Sequence, residues 1–211
     1  MKATDVFNEV EIAEILTWKE LSYTALTENL ELPAVYRKSV VLAGGVYTSW
    51  HHMEKIKDID VFILDDGYDA AILNYLKSQV GKIFTSFNNA PEYKRDNPHI
   101  NDVYNAEETV MPNAAKYQFI FTKYKTREEL ISHFDYLHCT PNYHNGNLFI
   151  RKDAYEAIRD KKLIVHNEKN KVEWRRNKFI SRGFTQMIKL ARTQGSIDWS
   201  KISSLTDTTN A

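Results

Sequence analysis

Apolar residues along the chain follow two spacings, and each spacing predicts a different secondary structure. Between residues 5 and 29, and again at 68–80, apolar side chains recur near helical spacing. The first stretch is predicted to form one helix or two short ones, and the second a single helix. The run IDVFIL (59–64) and the alternating YQFIFTKY (117–124) are rich in β-branched and aromatic residues and predict buried strands. The same criteria predict further helices at 126–134, 153–160 and 174–194, and further strands at 82–87, 135–140 and 147–150.

A polar segment interrupts this alternation at residues 88–116. It combines several asparagines with three prolines and scattered charge, and it has little periodicity. Few of its side chains can bury apolar surface to offset the entropy of ordering the segment. We therefore expect a long loop that is poorly ordered in the free protein and borders a functional cleft.

The order of these elements predicts the fold class. Strands that alternate with helices favour an α/β or α+β fold, built on a mixed sheet with flanking helices. A length of 211 residues suits one domain with an appendage. We predict a core at 1–165 that includes the N-terminal helix, and a basic helical segment at 166–211 packed on that core.

The charges are unevenly distributed along the chain. The 28 basic and 28 acidic residues give a net charge of zero. Residues 1–150 carry 14 Lys and Arg against 21 Asp and Glu, whereas 151–211 carry 14 against 7. The basic stretch WRRNKFISRGFTQMIKLARTQG (174–195) also has an apolar helical face. Two compatible interpretations remain open, namely packing on the core and a cationic rim for phosphate groups.

Composition also bears on the cellular setting. Cys139 is the only cysteine, so an intramolecular disulfide is excluded and a reducing compartment is favoured. No run approaches 18 apolar residues, and acids interrupt the N-terminal stretch where a signal peptide would be apolar. We expect a cytoplasmic protein without a membrane partner.

The segment LAGGVYTSWHHMEKIKDIDVFIL (42–64) concentrates the candidate chemistry. Gly44 and Gly45 precede a predicted helical turn, and such a turn offers free backbone N–H groups to a phosphate. Asp58 and Asp60 lie two residues apart at the start of a strand, so both project to one face. Paired carboxylates repel each other and favour a cation, and Mg²⁺ suits oxygen ligands. An anion cradle facing a metal-binding pair is what metal-assisted phosphoryl or nucleotidyl transfer requires.

This pattern of an apolar residue, Gly-Gly, about a dozen residues and then Asp-apolar-Asp-apolar resembles the signature of the DNA polymerase β-type nucleotidyltransferase superfamily. With FDYLHC (134–139) and RGF (182–184), the chain is most similar to small nucleotidyltransferase-like proteins of tailed bacteriophages. The motif likeness covers about residues 40–65, and a looser likeness extends to about residue 190. The resemblance implies a nucleotidyltransferase fold and transfer of a nucleoside monophosphate from an NTP to an acceptor.

The resemblance also assigns roles to individual residues. It implies that Gly44 and Gly45 hold the triphosphate, with Thr48 or Ser49 as candidates for a phosphate contact. It implies that Asp58 and Asp60 bind two catalytic Mg²⁺ ions.

The superfamily's third carboxylate lies on a later strand. Asp135, which opens the apolar segment DYLHC, is our candidate for this metal ligand and for a catalytic base. The basic C-terminal segment makes RNA the first acceptor to consider, and a host protein is the second.

Each assignment has an alternative that stays open from the sequence alone. The acid pair suits a solvated strand start, the two glycines suit a tight turn, and Asp135 suits a turn residue. At the level of function, the runner-up is a non-catalytic binding or interaction protein with this fold, phage-encoded and acting on a host partner. A zinc-stabilised nucleic-acid module is disfavoured, because adjacent His138 and Cys139 in a strand would point to opposite faces.

Overall fold

The computed structural model describes residues 7–91, 97–108, 116–170 and 173–187. Its main strands are β1 (Val40–Ala43), β2 (Asp58–Ile63), β3 (Phe84–Asn89), β4 (Ile100–Glu108), β5 (Lys116–Thr122), β6 (Asn142–His144) and β7 (Asn147–Phe149). In the described part of the chain, these seven strands form one sheet in the order β3-β4-β5-β2-β1-β6-β7. Strands β2 and β5 run parallel, and the other neighbours are antiparallel. The sheet is therefore mixed, which confirms the predicted fold class.

Helices flank the sheet close to where the apolar spacing predicts them. They are α1 (Glu9–Tyr23), α2 (Val46–His51), α3 (Asp69–Ser78), α4 (Arg127–Ser132), α5 (Lys152–Arg159) and α6 (Glu173–Ser181). Helix α1 continues as a π-helix at Thr24–Asn29. A short parallel pair, β8 (Lys162–Leu163) with β9 (Thr185–Gln186), joins the end of α5 to the end of α6. Among the described residues, no helix is long and apolar enough to span a membrane.

The side chains of strand β2 alternate between the two faces of the sheet, and each face has a different environment. Ile59, Val61 and Ile63 belong to the main hydrophobic core, which α1, α3 and α5 cover. Phe62 faces the other way and packs near Leu130 of α4. By the same alternation, Asp58 and Asp60 project to the Phe62 side. The two acids therefore lie on the face of the sheet opposite the main core.

The predicted loop at 88–116 is wrong in its middle, because Ile100–Glu108 forms strand β4. This strand pairs with both β3 and β5, so its backbone groups are satisfied by neighbours on either side. Val103 and Ala106 are buried, and Tyr104 stacks on Phe87 with ring centroids 5.0 Å apart. Polar residues at the remaining positions obscured the strand pattern in the sequence. Residues 92–96 and 109–115, and the predicted disorder there, lie outside the described residues.

The predicted strand at 135–140 is also wrong. Leu137–Cys139 forms a 3₁₀-helix, and Asp135 lies at a bend just before it. Local hydrogen bonds stabilise this turn, from Cys139 N–H to the Tyr136 carbonyl and from Thr140 N–H to the Leu137 carbonyl. A short apolar run does not distinguish a buried strand from a buried helical turn, because both bury consecutive residues.

The predicted helix at 174–194 is shorter than expected, because α6 ends at Ser181. Gly183 follows in a left-handed conformation, with φ +86°, which ends the helix. Phe179 and Phe184 pack with Tyr136 and Leu163 in a buried cluster, as the packing interpretation requires. Residues 188–211 lie outside the described residues, and the boundary at 165 stays a prediction.

Candidate nucleotide and metal site

The glycine turn lies directly against one of the two predicted metal ligands. Gly44 follows β1 in a left-handed conformation, with φ +92°, and its N–H donates to the Cys139 carbonyl at 3.3 Å. A Cβ atom at Gly44 would lie only 2.6 Å from Asp60 Oδ2. Glycine is therefore required here twice, by the backbone conformation and by the close approach of a carboxylate.

Asp58 and Asp60 occupy the exposed start of β2, as the strand pattern predicts. Asp58 is exposed and Asp60 is half-buried, opposite Ala43 of β1 in the sheet register. Burial raises the pKa of Asp60 to about 6, and the charge of Asp58 adds to the shift, whereas Arg175 and Lys178 oppose it. A carboxylate so poorly solvated favours a nearby cation. The pair therefore fits a hard cation such as Mg²⁺.

Polar side chains of β5 and β4 extend the site along the same sheet face, and the sequence reasoning missed them. Gln118 lies beside Asp60 in the parallel register, and its amide donates to Asn105 Oδ1 at 3.1 Å. Lys116 lies beside Asp58 and forms an ion pair with Glu107 at 2.6 Å. The alternation of YQFIFTKY places Gln118 on the face opposite Tyr117. The parallel pairing of β2 with β5, which brings it beside Asp60, has no signal in the sequence.

The two hydroxyl candidates on α2 have different environments. Gly45 is the N-cap residue of this helix, and its carbonyl accepts from Ser49 N–H at 3.1 Å. Ser49 Oγ accepts a hydrogen bond from Arg182 Nη2 at 3.1 Å. Thr48 is fully buried, and its hydroxyl has no hydrogen-bond partner among the described residues. Ser49 is also buried, with 7% of its surface exposed, so it is the more accessible of the two to a ligand.

Asp135 is engaged by an arginine of α6. Its buried carboxylate accepts from Arg175 Nε at 2.6 Å and Nη2 at 3.2 Å, and from the Tyr136 N–H at 3.0 Å. Within the described residues, no group of three or more His, Cys, Asp or Glu side chains is arranged to hold a metal ion. Asp135 is thus not assembled with the acid pair in this structure. Its role as a third metal ligand stays a prediction that requires Arg175 to move.

Side chains on helix α6 and just after it bring positive charge to the acid pair and to the glycine turn. The charges of Arg175 and Lys178 act on Asp60, and Arg182 lies beside the glycine turn, with Nη1 4.0 Å from the position of a Cβ on Gly45. His138 holds the helix in place, because its buried ring contacts Phe179 and Phe184 at centroid distances of 4.3 and 4.4 Å. Burial lowers the pKa of His138 well below its usual range, so this ring stays neutral. The described part of the basic segment, up to residue 187, therefore both packs on the core and rims the site.

Comparison with protein families shows to which family the chain belongs. Residues 16–161 match the family described as Gad2, Gabija anti-defense 2 family protein. The chain belongs to the Gad2 family. The matched residues include Gly44, Gly45 and the acid pair, whereas α6 lies beyond the match. Among curated protein sequences, none matches this Gad2-family chain significantly.

Solved structures show which fold this Gad2-family chain has. It is similar to the Thermotoga maritima CCA-adding enzyme in complex with tRNA, with a TM-score of 0.50 and 12% identity over 78% of this chain and 42% of that enzyme. It is also similar to a CCA-adding enzyme in complex with CTP, with a TM-score of 0.51 and 12% identity over 82% of this chain and 39% of that enzyme. The Gad2-family chain thus has a nucleotidyltransferase-like fold and spans about two-fifths of the length of these enzymes.

Proposed function

We propose that this protein transfers a nucleoside monophosphate from an NTP to an acceptor in a Mg²⁺-dependent reaction. The approach of Gly44 to Asp60 is the observation that carries the proposal. It brings a turn suited to phosphate against a pair of acids suited to a metal ion, as nucleotidyl transfer requires. The nucleotidyltransferase-like fold supports the same reaction class.

The residues of the site divide between metal and nucleotide. Asp58 and Asp60 would hold two Mg²⁺ ions, which when bound activate the acceptor oxygen and stabilise the leaving pyrophosphate. Gly44 and Gly45 would hold the triphosphate: Gly45 would offer its backbone N–H, whereas Gly44, whose N–H is held by the Cys139 carbonyl, would allow the close approach of Asp60. The Ser49 hydroxyl would contact the triphosphate. Asp135 is a candidate base, provided that its carboxylate leaves Arg175.

The family description gives the proposal a biological setting. The name Gabija anti-defense supports a phage protein that acts in the cytoplasm of its bacterial host against the Gabija system. The acceptor is then RNA or a host protein, and a protein of that system is the first host protein to consider. The cations of α6 favour RNA as the first acceptor to test, since arginine and lysine clusters bind phosphate without regard to sequence.

Labelled nucleotides test the reaction even while the acceptor is unidentified. The protein is incubated with Mg²⁺, α-labelled NTPs and lysate from cells that carry the Gabija system. We expect pyrophosphate release and label on a macromolecule, and both should be lost in Asp58→Asn and Asp60→Asn. Asp65→Asn, just beyond the other end of β2, is the matched control and should retain activity. Label that survives nuclease and migrates with a polypeptide would identify a protein acceptor.

A non-catalytic role is the second candidate, and the pairing of Asp135 with Arg175 favours it. This pairing leaves two acids at the site where the superfamily resemblance implies three. In this case the fold serves to bind a host partner. Anti-defence activity in cells would then survive Asp58→Asn, and no label would be transferred even where NTP binds. That pair of results would overturn the transfer reaction.

A further inference from the structure

Three helices end at one point beside the glycine turn. Left-handed residues follow α2, α5 and α6, namely Met53 at φ +52°, Lys161 at φ +47° and Gly183 at φ +86°. A Cβ on Gly183 would lie 3.8 Å from Lys161 Cδ, so the ends of α5 and α6 are in contact. The chain reversal at Met53 brings the next residue, Glu54, back over α2, where its N–H donates to the Ser49 carbonyl at 2.8 Å.

The convergence creates a group of three charged side chains, which we call the Glu54 cluster, made of Glu54, Lys161 and Arg182. Glu54 Oε1 accepts from Lys161 Nζ at 2.8 Å, and Oε2 accepts from Arg182 Nη2 at 2.6 Å. The same Nη2 donates to Ser49 Oγ at 3.1 Å. A single guanidinium therefore connects the Glu54 carboxylate to the predicted phosphate site.

The cluster is reachable from solvent and has excess positive charge. The side chains of Glu54, Arg182 and Lys161 are 31%, 24% and 28% exposed. Two cations share one carboxylate, so the cluster carries a net charge of +1. Hydrogen bonds from Lys161 and Arg182 hold the pKa of Glu54 below its usual value, although partial burial acts to raise it. Glu54 is thus an ionised anion whose two oxygens accept from donors that also suit phosphate oxygens.

We propose that Arg182 and Lys161 bind the distal phosphates of the nucleotide, and that Glu54 occupies their donors until the nucleotide arrives. The inference rests on the proposed function, which places the triphosphate at Gly44 and Gly45. Phosphate oxygens replace the Glu54 oxygens on the two cations, and Arg182 stays beside Ser49. Glu54 therefore competes with the substrate, so its removal strengthens substrate binding.

A purely structural cluster would respond differently. Lys161 also donates to the Arg182 carbonyl at 3.2 Å, and cations near helix C-termini are stabilising there. If the cluster only fastened the helix ends, Glu54→Gln would lower the thermal midpoint and leave phosphate affinity unchanged or weaker. If Glu54 competes with the phosphates, Glu54→Gln should instead strengthen phosphate binding. The two roles are therefore separable by measuring affinity and thermal midpoint on the same variants.

Calorimetric titration of the full chain tests the inference with three probes, namely Mg²⁺ with inorganic tripolyphosphate, the Mg²⁺ complexes of the four NTPs, and nucleoside monophosphates. Glu54→Gln should bind tripolyphosphate and the preferred NTP about 5- to 10-fold more tightly, because the competing anion is gone. Arg182→Gln should weaken both by about 10- to 100-fold, and Arg182→Lys should recover part of the loss. Monophosphates lack distal phosphates, so their affinity should not change.

The control variant is Glu128→Gln, which removes an exposed acid paired with Arg127 on α4 and changes net charge by the same amount. It should leave all three affinities unchanged. Unchanged or weaker tripolyphosphate binding in Glu54→Gln, or unchanged binding in Arg182→Gln, would overturn the inference even where the wild type transfers label. The expected affinity changes without label transfer would instead contradict the proposed reaction and leave the polyphosphate site standing. Absence of binding to every probe in wild type and Glu54→Gln would overturn both.

Discussion

At the scale of single residues, the site depends on one close approach between parts of the chain that are 16 residues apart. Gly44 leaves room for the Asp60 carboxylate, and any side chain there would push against Oδ2 at 2.6 Å. The same residue keeps its N–H on the Cys139 carbonyl, which fixes the turn relative to the 3₁₀-helix. Gly44 is therefore required for the position of the acid pair, and the backbone N–H proposed to meet a phosphate is that of Gly45.

Alanine substitution separates these effects, because Gly67 has the same φ of +92° with no atom within 4 Å of an added Cβ. Gly67→Ala should cost about 1–2 kcal/mol of unfolding free energy, from backbone strain alone. Gly44→Ala should cost about 1–3 kcal/mol more, because the added methyl group displaces Asp60. Urea unfolding at neutral pH measures both. Equal losses in the two variants would contradict the close contact.

At the scale of elements, α6 is attached to the core by an apolar contact and by an ion pair. Phe179 supplies the apolar contact, packed against Tyr136 and His138. Arg175 supplies the ion pair, with two hydrogen bonds to Asp135 across 40 residues of sequence. The same helix carries Lys178 toward Asp60 and ends near Arg182, so its attachment sets the electrostatics of the site.

A double-mutant cycle tests this attachment. Asp135→Asn and Arg175→Gln should each lower the unfolding free energy by about 1.5–3 kcal/mol, since each leaves a buried or partly buried charge without its partner. The coupling energy between them should be about 1–3 kcal/mol. The exposed pair Arg151 and Asp153 serves as the control and should couple by less than about 1 kcal/mol. A coupling near zero for Asp135 and Arg175 would show that the pair does not hold α6.

At the scale of the whole molecule, the acidic start of the central strand β2 lies near the basic helix α6. One face of the sheet is covered by α1, α3 and α5 over a large core, so it offers no place for a polar site. The other face is apolar under α4 and polar at the start of β2. Helix α6 brings its cations to that polar end, which places opposite charges together in a chain of zero net charge.

The poor solvation of Asp60 should appear in the pH dependence of global stability. Its pKa of about 6 in the folded protein lies above the ordinary value of 3.8, so the folded state binds more protons than the unfolded state between these values. Stability therefore falls as pH rises from about 4 to 6. Without Mg²⁺, Asp60→Asn should be more stable than wild type by roughly 1–3 kcal/mol at pH 7, and the gain should vanish at pH 4.

Denaturant unfolding in EDTA at both pH values measures this difference, with Asp65→Asn as the control. A gain that is equal at pH 4 and pH 7 would show that Asp60 is well solvated in the folded protein.

The sequence alone was sufficient to predict features that depend on residues close together along the chain. The alternation of β2, the two acids on one face of it and the Gly-Gly turn before α2 lie within a stretch of about 25 residues, where spacing dictates which side chains share a face. The mixed sheet with flanking helices also follows from the order of apolar patterns. The sequence pattern did not predict β4, because this strand has many polar side chains and is stabilised by pairing on both sides. It also predicted a strand at Leu137–Cys139, where the structure has a buried helical turn with a similar apolar pattern.

Only the tertiary structure decided which distant residues meet at the site. Gln118 lies beside Asp60 because β2 and β5 pair in parallel, and that pairing depends on strand order. Arg182 reaches Glu54 across 128 residues because three helix ends converge. Such contacts depend on how whole elements pack, and packing is set by the summed burial of many side chains. Residue spacing along the chain carries no information about that sum.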